Sequence, residues 1–97
     1  MIEHIVLFRF KAASQGAIQD RIVSELRALK GIVPSVVDLS VGYNFSERNQ
    51  GYELGLVVRF RDRAGLDAYQ IHPEHQRVAG EWIKPNLEQI IAVDYEF

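Results

Sequence analysis

The stretch His4-Ile-Val-Leu-Phe-Arg-Phe10, near the start of the chain, decides the fold. Successive side chains of a strand point to opposite faces of the sheet, and here both alternating rows are rich in apolar residues. One row is His4, Val6, Phe8 and Phe10, and the other is Ile5, Leu7 and Arg9. A sheet with one face in water would alternate apolar and polar residues instead. The stretch therefore predicts a strand in a sheet that is covered on both faces.

The residues that follow predict a helix and two more strands. Ser14 is the expected N-cap of the helix, and the cation and glycine at Lys30-Gly31 fit its C-terminus. The apolar stripe of this helix is Ile18, Ile22, Leu26 and Leu29. Strands are predicted at about Val36 to Tyr43 and Tyr52 to Phe60, on either side of a polar loop. The helix thus has one apolar face to bury against a sheet.

The second half of the chain predicts two further helices and a last strand. Asp62 can cap a short helix that ends near Tyr69. Pro is favoured at the first helical position, so a longer helix is expected to begin at Pro73, with Pro85 ending or kinking it. Its inward stripe is His75, Val78, Ala79, Trp82 and Ile83. The last strand runs from about Ile90 to Phe97. Its main apolar row, which we expect against the helices, is Ile91, Val93, Tyr95 and Phe97.

This order, β-α-β-β-α-β, is that of a ferredoxin-like α+β protein with an antiparallel sheet and its helices on one face. The opposite face would be polar in a monomer. Here that face is predicted to carry the apolar side chains Ile5, Leu7, Val57 and Ile90. A second copy of the sheet is the natural cover, so we expect a symmetric homodimer. The alternative is that these side chains are tolerated singly at the surface.

Composition narrows the classes of function. The 97 residues are expected to form one domain. The net charge of −2 and the pI near 5.9 give no basic footprint for nucleic acid, and no apolar run has the length of a membrane span. The chain has no cysteine and hence no disulfide or thiolate chemistry, and no secretory signal is expected before the first strand. We therefore expect a cytoplasmic protein that binds neither nucleic acid nor membrane.

Chemically reactive side chains are concentrated in the segment Tyr69-Gln-Ile-His72-Pro73-Glu-His75-Gln76. With Pro73 as the first helical residue, His72 is the N-cap and His75 lies in the first turn. The positive end of the helix dipole disfavours an imidazolium at His75. A neutral imidazole is what a general base needs near pH 7. The alternative interpretation is that Tyr69 and His75 close a buried polar contact between the two helices.

Four stretches of this sequence resemble the stress-responsive dimeric α/β-barrel (Dabb) family. They are His4 to Lys11, Gly51-Tyr52, Ala68 to Gln76 and Val93-Asp94-Tyr95. Together they span essentially the whole chain, and the pattern Tyr-x-x-His-Pro-x-His is the most specific of them. The resemblance implies a ferredoxin-like protomer whose sheet packs against that of its partner to form a dimeric α/β barrel, with residues 1–97 as a single Dabb-type domain.

The resemblance also implies a site. A plant polyketide cyclase of this family uses a Tyr and the second His of the segment, with another His from the first strand lining its pocket. The matching positions here are Tyr69 and His75 as the catalytic pair and His4 as a substrate-binding residue. His72 matches the first His of the segment and Trp82 shares the stripe of His75, so both are expected to contact the substrate. The loop after the first helix offers no carboxylate where some plant relatives hold a metal, so neither a metal nor a cofactor is carried over.

Three functions follow from these residues. The one we favour is a homodimeric protein that binds a small, largely apolar carbonyl compound and moves a proton on it, as a cofactor-free lyase or cyclase does. His75 would take the proton and Tyr69 would donate a hydrogen bond to the developing enolate. The first alternative is a non-catalytic dimeric ligand-binding or stress-associated protein that uses the same pocket only to hold an apolar ligand. Whichever function holds, the alternative for His4 itself is that of an ordinary core residue. The second alternative function is a haem-binding or cofactor-free monooxygenase, which rests on analogy of fold alone.

Overall fold

Four strands and two helical regions follow one another in a computed structural model that describes all residues, 1–97. The strands are β1 (Ile2–Phe10), β2 (Asp38–Tyr43), β3 (Leu54–Phe60) and β4 (Leu87–Glu96). The helices are α1 (Ala17–Ile32), α2 (Arg63–Ile71) and α3 (Pro73–Val78). The chain continues from α3 through a π-helical turn, Ala79–Ile83, and a 3₁₀ turn, Lys84–Asn86. Pro85 lies in this last turn, and the helical region ends one residue later, at Asn86, close to the predicted end.

The sheet is antiparallel throughout and has the order β2-β3-β1-β4. The first strand is therefore central, and the last strand forms an edge. This is the ferredoxin-like arrangement that the order of elements predicted. The register sets His4 opposite Val58 on one side and opposite Asp94 on the other.

The core lies between one face of the sheet and the helices. On β1 the inward row is buried as predicted, with Val6, Phe8 and Phe10 at most 5% exposed. Helix α1 contributes its predicted stripe, of which Ile22 and Leu29 are almost completely buried. Tyr69 of α2 is also fully buried, in contact with the ring of Phe60 at a centroid distance of 5.2 Å.

One predicted helix cap is right and one is wrong. The Asp62 carboxylate accepts a hydrogen bond from the Gly65 amide at 2.9 Å and caps α2. Ser14 does not cap α1, because its hydroxyl donates to the side-chain oxygen of Asn86 at 2.8 Å. The helix begins instead at Ala17, after Gly16, whose φ of 66° is in the left-handed region that glycine adopts readily.

The last strand turns the opposite face to the helices from the one predicted. Ile90 is paired with Phe8 and Ala92 with Val6, so the row of Ile90, Ala92 and Asp94 faces the helices. The more apolar row of Ile91, Val93 and Tyr95 lies on the outer face, where each is between 41% and 49% exposed. The alternation of β4 predicted the wrong face because its inward row carries Asp94, whereas its outer row is apolar like the rest of the outer face of the sheet.

Candidate functional site

A cavity of about 320 Å³ lies between the sheet and the second helical region. Strand β4 is an edge strand, and the helices do not cover it fully, so the cavity opens along it. Most of its wall is apolar, and hydrophobic side chains make up 11 of the 15 residues that line it. They include Val6, Phe8, Leu56, Val78, Ile83 and Ile90. A largely apolar cavity with a few polar groups is the usual form of a small-molecule site.

Three of the predicted site residues meet at one end of this cavity. His4 comes from β1, Tyr69 from α2 and His75 from α3, and all three line the wall. The Tyr69 and His75 rings are 4.4 Å apart between centroids, and the His4 and Tyr69 rings are 6.1 Å apart. The fold thus brings together residues that are up to 71 positions apart in the sequence.

His75 is held as a neutral base. Its Nδ1 lies 3.2 Å from the Gln70 carbonyl oxygen. A carbonyl can only accept, so Nδ1 carries the hydrogen and Nε2 keeps its lone pair. Burial is the main cause that lowers the pKa of His75 below its ordinary value of 6.5, against the opposing effect of the Gln70 carbonyl. Burial thus favours the neutral imidazole that the sequence predicted.

The Tyr69 hydroxyl is a buried donor without a protein partner. Burial raises the pKa of Tyr69 to about 12, so the phenol stays protonated at neutral pH. Its oxygen is buried and makes no hydrogen bond within the protein. The rings of Tyr69 and His75 are thus in contact, but the Tyr69 hydroxyl is not hydrogen-bonded to His75. An unpaired buried polar group of this kind costs about 1–3 kcal/mol, which a bound oxygen atom would offset.

Asp94 joins the site through His4, and the sequence interpretation missed it. The Asp94 carboxylate accepts a hydrogen bond from Nδ1 of His4, while His4 itself is only 7% exposed. This bond leaves Nε2 of His4 as the nitrogen that makes no protein hydrogen bond. An acidic residue in the otherwise apolar row of Ile90 and Ala92 was a usable signal, but that row was assigned to the wrong face.

The structure places neither His72 nor Trp82 among the residues that line the cavity, although both were predicted to contact the substrate. Nδ1 of His72 accepts from the Glu74 amide at 3.1 Å, so His72 is the N-cap of α3 and is occupied there. Trp82 packs against the core instead, with the Arg21 guanidinium 4.7 Å from its ring centroid.

The π-helical turn explains why Trp82 leaves the stripe of His75. In a regular α-helix two residues seven apart share a face. The π turn Ala79–Ile83 inserts an extra residue into the hydrogen-bonding ring, so Ile83 and Lys84 take the positions on the cavity wall. Such turns occur often at functional sites.

Two further observations concern metal ions and membrane spans. No three His, Asp or Glu side chains are grouped so that they could hold a metal ion together. None of the helices combines the length and the apolar character that a transmembrane segment requires.

The order and pairing of its strands place this chain among the ferredoxin-like α+β proteins, with a cavity at the edge strand that Tyr69 and His75 line. The family profile described as the stress responsive A/B barrel domain (Dabb) matches residues 2–97. The chain therefore belongs to the Dabb family, as its motifs predicted.

A known relative agrees with this assignment. The chain is 30% identical over 97 residues to a stress-response A/B barrel domain-containing protein of Arabidopsis thaliana. The match covers 98% of the chain but only 36% of the plant protein, so the chain spans about a third of the length of that relative.

Solved structures have the same fold. A dimeric ferredoxin-like protein of Thermobifida fusca superposes with a TM-score of 0.88 at 25% identity, covering 99% of this chain and 90% of the other. The hydroxynitrile lyase of Passiflora edulis superposes with a TM-score of 0.86 at 22% identity, covering 97% of this chain and 90% of the lyase. At that identity the lyase supports a common fold and no more.

Proposed function

We propose that this protein binds a small, largely apolar carbonyl compound in the cavity and catalyses proton transfer at the carbon next to the carbonyl. The observation that carries the proposal is the unpaired, buried Tyr69 hydroxyl beside the neutral His75 at one end of an apolar cavity. A polar end in an apolar cavity orients a ligand whose own polarity is concentrated at one end.

The two side chains have complementary roles in this proposal. Nε2 of His75 takes a proton from the carbon next to the carbonyl. The electron pair of the broken C–H bond forms the carbon–carbon double bond of an enolate, and the negative charge moves to the carbonyl oxygen. The Tyr69 hydroxyl donates a hydrogen bond to that oxygen, and such an oriented donor contributes about 3 kcal/mol to lowering a barrier. The enolate then accepts a proton or attacks a second carbonyl of the same molecule, as cyclisation requires.

The protonation states support this division of roles. A base must be neutral at working pH, and burial lowers the pKa of His75. A hydrogen-bond donor must keep its proton, and burial raises the pKa of Tyr69 to about 12. One cause, burial beside an apolar cavity, thus prepares both groups. His4, oriented by Asp94, completes the polar end as a substrate-binding residue.

We also propose that the protein acts as a homodimer through the outer face of its sheet. Ile5, Val57 and Val93 are neighbours on that face, as are Leu7 and Ile91. These rows form one apolar surface on the side of the sheet that carries no helix. The Thermobifida fusca protein of the same fold is described as dimeric.

Deuterium exchange tests the catalytic proposal without knowledge of the natural substrate. The simple ketone 2-octanone is incubated with the protein in D₂O, and NMR follows the loss of the protons next to its carbonyl. We expect faster exchange than in buffer. His75→Ala should lower the protein-dependent rate by about 10²–10⁴-fold, and Tyr69→Phe should lower it by about 10²-fold.

His72→Asn is the matched control, because asparagine also caps helices and His72 does not line the cavity. This variant should exchange at the wild-type rate. If 2-octanone stabilises the protein thermally but does not exchange faster than in buffer, the protein is a non-catalytic binding protein. Equal exchange by wild type and His75→Ala would show that the proton transfer does not involve the proposed base.

A further inference from the structure

Lys84 lies at the end of the cavity opposite His75 and Tyr69. It follows the π-helical turn directly and is three residues before Leu87, which is paired with Phe10 at the far end of β1. His4 lies near the other end of the same strand. Both Lys84 and His4 line the cavity, so the cavity has a cationic group at one end and hydrogen-bonding groups at the other.

The distance between the two ends follows from the elements that form the walls. His4 and Phe8 are four residues apart on β1, which corresponds to about 13 Å at 3.3 Å per residue. His75 and Lys84 are nine residues apart along the helical region, about 13 Å at 1.5 Å per residue. The apolar wall between them is built from Val6, Phe8, Val78, Ala79 and Ile83. The cavity is therefore an elongated apolar trough, about 13 Å long along both walls.

The charges along this trough have one sign. Lys84 is the one lysine or arginine among the lining residues, and no aspartate or glutamate lines the cavity. Lys84 has no carboxylate within ion-pair distance, whereas Lys30 is paired with Asp38 at 2.9 Å. The charge of Lys84 is thus free to meet a negative group on a ligand.

We infer that the ligand is an elongated oxo-carboxylic acid, with its carboxylate at Lys84 and its ketone oxygen at Tyr69 and His75. This inference rests on the proposed function and adds the charge and length of the substrate to it. An extended alkyl chain with C–C bonds of about 1.52 Å advances about 1.25 Å per bond, so the six bonds between the carboxyl and ketone carbons cover about 7.5 Å. A hydrogen bond of about 2.9 Å at each end brings the total to about 13 Å, close to the length of the trough.

Three compounds separate charge from length. The compound 7-oxooctanoate has the matching spacing, 2-octanone has the same chain without the carboxylate, and 4-oxopentanoate is too short to reach both ends. Affinities are measured by calorimetry for wild type, Lys84→Met and Lys84→Arg. Lys30→Met serves as a control that removes a lysine charge away from the cavity.

For wild type we expect 7-oxooctanoate to bind about fivefold more tightly than 2-octanone, the scale of a partly exposed ion pair. Lys84→Met should abolish this difference, which is taken for each variant as the ratio of its affinities for 7-oxooctanoate and 2-octanone. Lys84→Arg and Lys30→Met should both retain it, and 4-oxopentanoate should gain nothing from Lys84.

Other outcomes overturn the inference in distinguishable ways. If 2-octanone binds and the carboxylate adds nothing, or if its advantage persists in Lys84→Met, Lys84 does not select the ligand and the proposed function stands. If Lys84 raises the affinity for 4-oxopentanoate as much as that for 7-oxooctanoate, the lysine attracts any carboxylate, and the ligand need not span the cavity. If neither 7-oxooctanoate nor 2-octanone binds, both the inference and the proposed function fail.

Discussion

At the scale of single residues, Tyr69 shows a conflict between stability and function. Its ring is fully buried against Phe60 and His75, which favours folding, while its hydroxyl has no partner in the protein. Native proteins satisfy nearly all buried polar groups, so an exception calls for an explanation. A site that awaits a ligand oxygen provides one, since the hydrogen bond forms only in the complex.

This conflict predicts that Tyr69→Phe stabilises the free protein. Removing the hydroxyl keeps the ring and deletes the unpaired group, so the free energy of unfolding should rise by about 1 kcal/mol. Urea denaturation, with an unchanged slope, measures the difference. Tyr52→Phe is the control, because Tyr52 is also buried but its hydroxyl is not an unpaired buried group. A loss of stability in Tyr69→Phe would mean that the hydroxyl already has a partner such as water.

The lowered pKa of His75 predicts a pH-dependent part of the stability. In the unfolded chain this imidazole has its ordinary pKa of 6.5, and burial lowers the pKa in the folded protein. Between the two pKa values the unfolded chain binds more protons, so stability rises with pH there. The contribution is complete above pH 6.5 and is lost as the pH falls through the folded pKa.

Urea denaturation at about pH 7.5 and about pH 5 tests this linkage. Wild type should lose more stability on acidification than His75→Gln, whose side chain does not titrate. His4 and His72 are present in both proteins and cancel in the comparison. An identical loss in the two proteins would place His75 in water-like surroundings and remove the basis for a neutral base.

The sequence indicated that Tyr69 and His75 lie together, as they do in the cavity wall, but it did not indicate all of their surroundings. Pro73 marks a helix start, which fixed the positions of His72 and His75 from the sequence alone. Asp94 and Lys84 were not assigned to the site from the sequence. The first depends on which face of an edge strand meets the helices, and the second on a π-helical turn, and neither leaves a periodic signal in the sequence.

At the scale of elements, regular spacing predicted the structure wherever the elements themselves are regular. The steps of α1 and the alternation of β1 and β3 gave the buried rows correctly, because a periodic pattern reports a constant geometry. Prediction failed where a local contact changed that geometry. Ser14 donates a hydrogen bond to Asn86 and does not cap α1. The π-helical turn Ala79–Ile83 rotates Trp82 away from the cavity.

The junction between α2 and α3 gives a prediction at this scale. His72 caps α3 through Nδ1, so His72→Ala should lower the free energy of unfolding by about 1 kcal/mol. His72→Asn should keep most of the stability, since asparagine supplies an equivalent acceptor. Denaturation of both variants, together with their affinity for 2-octanone, separates capping from substrate contact. A large loss of affinity in the well-folded His72→Asn would return His72 to the site as a ligand contact.

At the scale of the whole molecule, the two faces of the sheet have different tasks. The inner face carries the core and the cavity. The outer face presents an apolar surface formed by Ile5, Leu7, Val57, Ile91 and Val93, next to the ion pair between Arg59 and Glu3 at 2.8 Å. A contiguous apolar surface of this kind is typical of an interaction site, and it is the dimer interface that we propose. Its self-complementary position on a sheet suits a two-fold dimer.

Sedimentation equilibrium of wild type and Val93→Arg tests this division. Wild type should have twice the 11.1 kDa mass of the chain, and the buried charge in Val93→Arg should make the protein monomeric. Ile71→Arg is the matched control, because Ile71 is 73% exposed but lies on α2, away from the outer face. This control should remain dimeric. A monomeric wild type, or a Val93→Arg variant that dimerises normally, would contradict the assignment.

The same variant tests whether the site is complete within one protomer. Since the cavity opens on the other face, monomeric Val93→Arg should still bind 2-octanone. A parallel loss of binding would mean that the partner helps to form the site.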